Sequence, residues 1–514
     1  MKKFKKVSAL ILAGALALSM GACNGVGGGG GAANNPDTIQ FYFWQSGFGS
    51  KYMKKMVEDF NKKQDKYTVE FEYTAAQSSI TSTLNAGSAN TYDLYLTPCP
   101  ANFEDIFENL DDVLDTTVEG ESISIRQKMG EERLGTLKRA DGKVYHLNYG
   151  DSLSGLFYNS SIIDGSKYKV PRTTNELEEL VFALTGDGLK PFVHFSDSAN
   201  GYYEYVYEVW HAQYDGLDYY RNKFMTLAGD DGQTPSKARL EEKDGRWETL
   251  KVLESILTPD TVTDASNEQE FTVAQTSLFN GDAVMMVNGT WVKNEMESMI
   301  VDDSLQGVSA NDDIILMKTP VISAIVNKLE KKITDKQLSA IVEQIDLSKT
   351  YEETKTATGL TELSENDYKR IREARNLQHN GIGGQKLFIP NYSNAKAGAK
   401  EFIKYMFSDE GLLTWCNELH LAPGATLNDP TKLDLTTWTE WDMYHYNLAE
   451  QFENTLLVSA NISPIFNKYG MDSFVNQEFI SAFTAKNPKD QKSSDVIWSA
   501  ILQRIDQQWQ YWEV

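Results

Sequence analysis

Between Thr38 and Thr97 the spacing of apolar residues switches repeatedly between two periods, and this limits the fold more than any other feature. Thr38 to Trp44 alternates, with Ile39, Phe41 and Phe43 set against Gln40, Tyr42 and Trp44. Period two is a strand. Ser50 to Gln64 then places Tyr52, Met53, Met56, Val57 and Phe60 on one helical face. Tyr67 to Tyr73 alternates again, Ser78 to Asn85 reads as a helix, and Asp93 to Thr97 is a third strand stopped by Pro98 and Pro100. Strand, helix, strand, helix, strand is the order of an open α/β sheet. Such sheets hold ligands at the carboxyl ends of their strands, where Trp44, Gln45 and Thr97 fall.

Later segments continue the mixture. Residues 144–158 contain an extended stretch ending in Leu156-Phe157-Tyr158, and Thr173 with Glu176 reads as a capping box that opens a helix. Residues 202–220 hold seven tyrosines and Trp210. Residues 271–296 read as helix (Phe271 to Phe279), turn, strand (Ala283 to Val287) and a tight turn at Asn288-Gly289 before Trp291. Residues 325–380 are highly charged and helical in pattern, as an insertion or subdomain would be. A strand returns at Lys386 to Pro390, a helix follows at Ala395 to Phe407, and residues 443–514 read as mostly helical. For 514 residues, roughly 150 per domain gives two to four compact units or one two-lobed body.

The N-terminus is an address. Four lysines in the first six residues precede an uncharged, mainly apolar run from Val7 to Met20. That run is shorter than the roughly 20 residues a membrane-spanning helix needs. A basic start, a short apolar core and the small residues Gly21 and Ala22 make 1–22 a secretory signal. Cys23 follows at once, resembling a bacterial lipobox whose cysteine is acylated, although Met20 stands where that pattern usually has Leu; the other reading is a plain secretory signal with a stray cysteine. Residues 23–36 then form a flexible tether, since NGVGGGGGAANNP cannot bury a core. The two other cysteines, Cys99 and Cys416, are either one bridge or two buried thiols.

Charge and motifs remove whole classes of function. With 49 basic against 73 acidic residues the net charge is −24, the wrong sign for displacing counterions from nucleic acid. Gly150-Asp151-Ser152-Leu153-Ser154 nearly gives a nucleophile elbow, but Ser154 occupies the position of the second glycine. There is no HExxH, and the six histidines show no metal-ligand spacing. A pair of carboxylates for glycoside hydrolysis can always be imagined among 73 acids, so that signal is empty.

Four stretches taken in order carry a family resemblance: TIQFYFWQ with KKMVEDFNKK; DGKVYHLNYGDSLSGLFYN with VPRTTNELEEL; FNGDAVMMVNGTWVKNEM; and GIGGQKLFIPNYSNAKAGAKEFIKYMFSDEGLLTWCNE. They resemble the extracellular solute-binding proteins of bacterial ABC importers, of the maltodextrin-binding type. The resemblance implies an α/β, two-lobed periplasmic-binding-protein-like fold with an interlobe ligand cleft and a hinge. Lobe one would hold 37–150 plus 385–430, and lobe two 151–384 plus 431–514, with 325–380 a charged helical insertion.

Sugar binding needs aromatic faces for the C–H surface of a pyranose and polar groups for its hydroxyls. The resemblance puts the turn bearing Trp291 at the cleft; the other reading is a core tryptophan. Trp44 and Gln45 are candidates from their place at a strand end. Tyr149 and Asp151 match the family's cleft pattern, or belong to the hinge. Tyr205, Tyr207 and Trp210 are candidates that an amphipathic helix would bury instead. Gly383 and Gly384 either let backbone approach a ligand or bend a hinge.

The expectation is a non-enzymatic receptor of an ABC importer. It is lipid-anchored at Cys23 on the extracytoplasmic face of the membrane, monomeric and free of cofactor or metal. It would capture a carbohydrate, an oligosaccharide or sugar derivative, and deliver it to permease subunits. The rivals are a membrane-anchored glycan-degrading enzyme, a surface glycan-tethering protein without a transporter, and a receptor for a polyol or peptide.

Overall fold

The computed structural model describes residues 35–512 except 75–77, 100, 140, 196–199, 233, 265, 267–269, 302–312, 382–384, 453, 457–464 and 467–468. The signal segment, Cys23 and nearly all of the tether lie outside the described residues, as do Gly383 and Gly384.

Two sheets organise the chain. The first has the order β2-β1-β3-β8, formed by β1 (Thr38–Trp44), β2 (Thr68–Thr74), β3 (Leu94–Pro98) and β8 (Gln385–Phe388). The first three strands are parallel, and β8 runs antiparallel to β3. The alternation in β1 does what its pattern predicts. Ile39, Phe41 and Phe43 join one core with Tyr52, Met53, Met56, Val57 and Phe60 of the Lys51–Lys63 helix. Tyr42 packs on the other face with Tyr95 and Phe388. Each such burial contributes about 1.5–3 kcal/mol, so this helix is held by its inner face rather than by propensity.

The second sheet is built around β4 (Leu153–Asn159), which is buried along its whole length. Its neighbours are β5 (Met285–Gly289), β6 (Ile314–Leu316) and β7 (Leu377–Asn380), all antiparallel to it, with β9 (Asn454–Leu456) parallel to β7. The Glu204–Asp215 helix lays Val206, Val209 and Trp210 into the same core as Leu156 and Val287. The Thr174–Gly186 helix starts as expected at Thr173, whose hydroxyl accepts from the Glu176 N–H. The reciprocal bond is shifted by one residue, because the Glu176 carboxylate accepts from the N–H of Arg172.

Residues 325–380 are solvated on one side only. Two helices, Asp335–Asp346 and Glu365–Arg375, turn Leu338, Ile341, Val342, Ile345, Tyr368 and Ile371 into the second core, and the Tyr351–Thr358 helix between them packs Tyr351 against it. The segment also supplies β7, which binds β4 directly. Its charge therefore marks an outer face of the second lobe.

Two segments that cross between the sheets run side by side. Asn148 donates through its side-chain amide to the Gln385 carbonyl at 2.7 Å, and the Gly381 N–H donates to the Ser152 carbonyl at 3.1 Å. Gly150 sits here at φ +85°, and a Cβ on it would stand 2.4 Å from the ring of Trp415. A residue other than glycine would be strained twice over, by its backbone and by the ring. Cys99 and Cys416 are separate buried thiols, one in each of the two clusters on opposite faces of the first sheet. Burial pushes both up to about 12. Among the described residues no helix is long and apolar enough to cross a membrane.

Candidate functional site

A cavity of about 720 Å³ lies between the two sheets. Its first wall is the turn that leaves β1, from Trp44 to Gly49, with Pro98 at the end of β3. Its second wall comes from the other lobe: Tyr202 and Tyr205, then Phe271 and Thr272, then Trp291, Asn294 and Glu295. Gly381 and Gln385, from a crossing segment, close the back. The site thus lies at the carboxyl ends of β1 and β3, where an open α/β sheet leaves backbone groups free to meet a ligand.

Trp291 is the junction of the two walls and is only 7% exposed. Its ring meets Phe48 edge-on at 6.1 Å and the stacked pair Tyr202–Tyr205 at 6.1 and 5.8 Å. Three glycines make room for it. A Cβ on Gly289 would stand 2.2 Å from the ring, one on Gly381 2.6 Å, and one on Gly47 2.8 Å. The sequence reading placed a tight turn at Asn288-Gly289. Both residues instead extend β5, opposite Gly155 and Ser154, and the turn follows at Thr290 and Trp291. Gly289 is needed for the ring's approach, since its φ is unexceptional.

Glu295 is one helical turn beyond Trp291, on the Val292–Val301 helix. One carboxylate oxygen accepts from the Gln275 side-chain amide at 2.6 Å. The other faces Gly47, where a Cβ would approach it to 2.6 Å. Burial pushes this carboxyl up to about 7, against the opposing pull of the Gln275 bond. Tyrosines aside, it is the only ionisable side chain on the described cavity wall.

The sequence candidates divide sharply. Trp44, Gln45, Tyr205 and Trp291 all line the cavity. Tyr149 does not: it is 1% exposed inside the first core, its hydroxyl donates to the Gly411 carbonyl, and its ring meets Phe407 and Trp415 edge-on. Asp151 is tied to the crossing by Arg133 at 2.9 Å and by the Asn380 amide, beside a separate small pocket. Tyr207 packs on Phe474 and Phe479 in the second core. Trp210 is buried there too, its indole N–H donating to the Pro320 carbonyl at 3.0 Å. These four are held by packing and hydrogen bonds away from the cavity. Sequence reasoning missed Phe48, Tyr202, Phe271 and Glu295.

The near-elbow at Gly150–Ser154 is no elbow. Ser154 lies within β4 with no exposed surface, its hydroxyl 2.8 Å from His379 Nδ1. His211, Asp215 and Asp244 do come together, through an i,i+4 spacing and a helix cap. Both carboxylates already carry a cation, Lys328 on Asp215 and Arg246 on Asp244. This is a buried ion-pair cluster.

A family model described as bacterial extracellular solute-binding protein matches residues 55–432. The diacetylchitobiose binding protein NgcE of Streptomyces coelicolor is 25% identical over 202 residues, which are 38% of this chain and 39% of NgcE. The match therefore spans well under half of that relative's length. Among solved structures, the bacterial solute receptor AcbH, with its exclusive preference for β-D-galactopyranose, is similar with a TM-score of 0.60 at 13% identity, over 92% of this chain and 98% of that one. A chitin oligosaccharide binding protein is similar with a TM-score of 0.57 at 12% identity, over 91% of this chain and 98% of that one. At such identities these likenesses establish a shared two-lobed fold.

Proposed function

The chain belongs to the bacterial extracellular solute-binding proteins, and from that premise we propose that it is the receptor of an ABC importer for a carbohydrate. The observation that carries this reading is the cavity wall. Six aromatic residues, Trp44, Phe48, Tyr202, Tyr205, Phe271 and Trp291, surround a space of about 720 Å³. Gln45, Thr272, Asn294, Glu295 and Gln385 supply hydrogen-bonding groups to the same space. Flat apolar faces with scattered amides and a carboxylate suit a pyranose, whose two faces are C–H and whose rim is hydroxyl. Related proteins named for diacetylchitobiose, chitin oligosaccharide and β-D-galactopyranose support the same chemistry.

In this reading the ligand enters while the lobes are apart, and closure about the crossing near Asn148–Ser152 brings the Gly47–Phe48 turn against Trp291. Closure excludes water from the buried hydrogen bonds, which strengthens them. No bond is made or broken in the ligand. Cys23 anchors the protein through lipid on the extracytoplasmic face, the tether spans the gap to the membrane, and the closed form delivers its ligand to permease subunits.

A thermal-shift panel of mono- and oligosaccharides, polyols and peptides tests the reading. A ligand at 100 times its Kd adds about 2.7 kcal/mol to the native state, a readily measured shift. Stabilisation by one sugar series, without turnover of that sugar, is expected. Response only to peptides or polyols would overturn the carbohydrate assignment and leave the fold intact.

A further inference from the structure

The charge of the cavity narrows the substrate class, and this step rests on the carbohydrate reading above. Among the described residues the wall has no lysine, arginine or histidine. Three cations on neighbouring segments each pair with a carboxylate. Lys51, at the start of the helix after the first wall, pairs with Glu418 at 2.9 Å. Lys293, on the same helix as Glu295, is bound by Asp442, and Lys386, next to Gln385, is bound by Glu104. What remains is one carboxylate, Glu295, mostly buried and hydrogen-bonded through only one of its oxygens among the described residues.

We infer that the cavity selects glycans without acidic groups, with Glu295 as the charge-selecting residue. A uronate, sulfate or phosphate on the ligand would leave water for an aromatic enclosure with no countercharge. It would also meet the Glu295 carboxylate at close range, where repulsion in a partly desolvated site is several times stronger than in water. The field of the whole chain, at a net charge of −24, works in the same direction during approach. Neutral hydroxyls face no such cost, and the second Glu295 oxygen is an acceptor suited to them.

The test is isothermal titration of the full chain at pH 8 with matched disaccharides. Neutral gluco, galacto and N-acetylglucosamine series are compared with counterparts carrying a 6-carboxyl group. Whichever neutral series binds, its acidic counterpart is expected to bind at least about 30-fold more weakly. In Glu295→Gln the ratio of acidic to neutral Kd should shrink about 10-fold or more, even where the neutral sugar itself is bound more weakly for want of the carboxylate acceptor. An acidic sugar bound as tightly as its neutral partner by the wild-type protein overturns the inference, and this arm needs no variant to fold. A gap unchanged in a folded Glu295→Gln protein removes Glu295 as the selector. Absence of binding by every sugar in both sets is a different failure, because it takes down the carbohydrate reading on which this one stands.

Discussion

The two walls of the cavity hold a tryptophan each, and the two are held very differently. Trp44 ends β1 and is half-buried, on the face opposite Ile39, Phe41 and Phe43. Trp291 is gripped by Phe48, Tyr202 and Tyr205 and sits over three glycines from three separate segments. One ring stands half-buried at a strand terminus on the cavity wall. The other is a keystone between lobes. An aromatic residue at a binding site can thus be chiefly a ligand surface or chiefly a packing element, and the glycines around it tell which.

Removing the keystone should have the largest effect. Trp291→Ala is expected to cost about 3–5 kcal/mol of unliganded stability and to abolish high-affinity binding together with it. Chemical denaturation of the two proteins measures this, and an unchanged midpoint would mean that the packing around Trp291 contributes little. The next effect comes from Glu295. Its carboxyl titrates at about 7 in the folded chain against an ordinary value of 4.5, so between those values the native state holds a proton that the unfolded chain has lost. Stability from this group is present below pH 4.5 and falls as pH rises through 7, by about 3 kcal/mol at most. Melting curves from pH 5 to 8 should therefore slope less steeply downward in Glu295→Gln than in the wild type. Parallel curves would contradict the burial of that carboxyl.

Smaller still is the glycine seat. Gly381→Ala should force the Trp291 ring aside at a cost of about 1–3 kcal/mol, read as a lower melting temperature. No change would show that the ring has room to move. Trp44→Ala should alter stability by about 1 kcal/mol or less, its weight falling on the ligand instead.

These contrasts also explain what the sequence could say. The first sheet was legible because β2 alternates strictly, β1 sets Ile39, Phe41 and Phe43 on one face, and the Lys51–Lys63 helix carries five apolar residues at helical spacing. Trp44 followed from that alternation. Tyr205 and Tyr207 were indistinguishable by composition, yet at about 100° per residue they point to nearly opposite sides of a helix, and only the neighbours decide which side is core. Tyr202, one turn before Tyr205 on the same side, carried no further signal. Glu295 was hidden among 73 acidic residues, since its burial depends on the lobes meeting at Gly47. Tyr149 and Asp151 stand next to the crossing that makes a cleft, which placed them near it in sequence while Trp415 and Arg133 hold them elsewhere. The charge of 325–380 announced its outer face and concealed the inner one.

The central claim, that the aromatic walls bind the sugar, is tested most directly by calorimetric titration of the best sugar from the panel into wild type and Trp44→Ala. The account predicts that Trp44→Ala keeps its unliganded melting temperature within a few degrees and binds at least about 10-fold more weakly. A sugar bound equally well by both proteins would contradict it, and would place the ligand away from the wall that β1 builds.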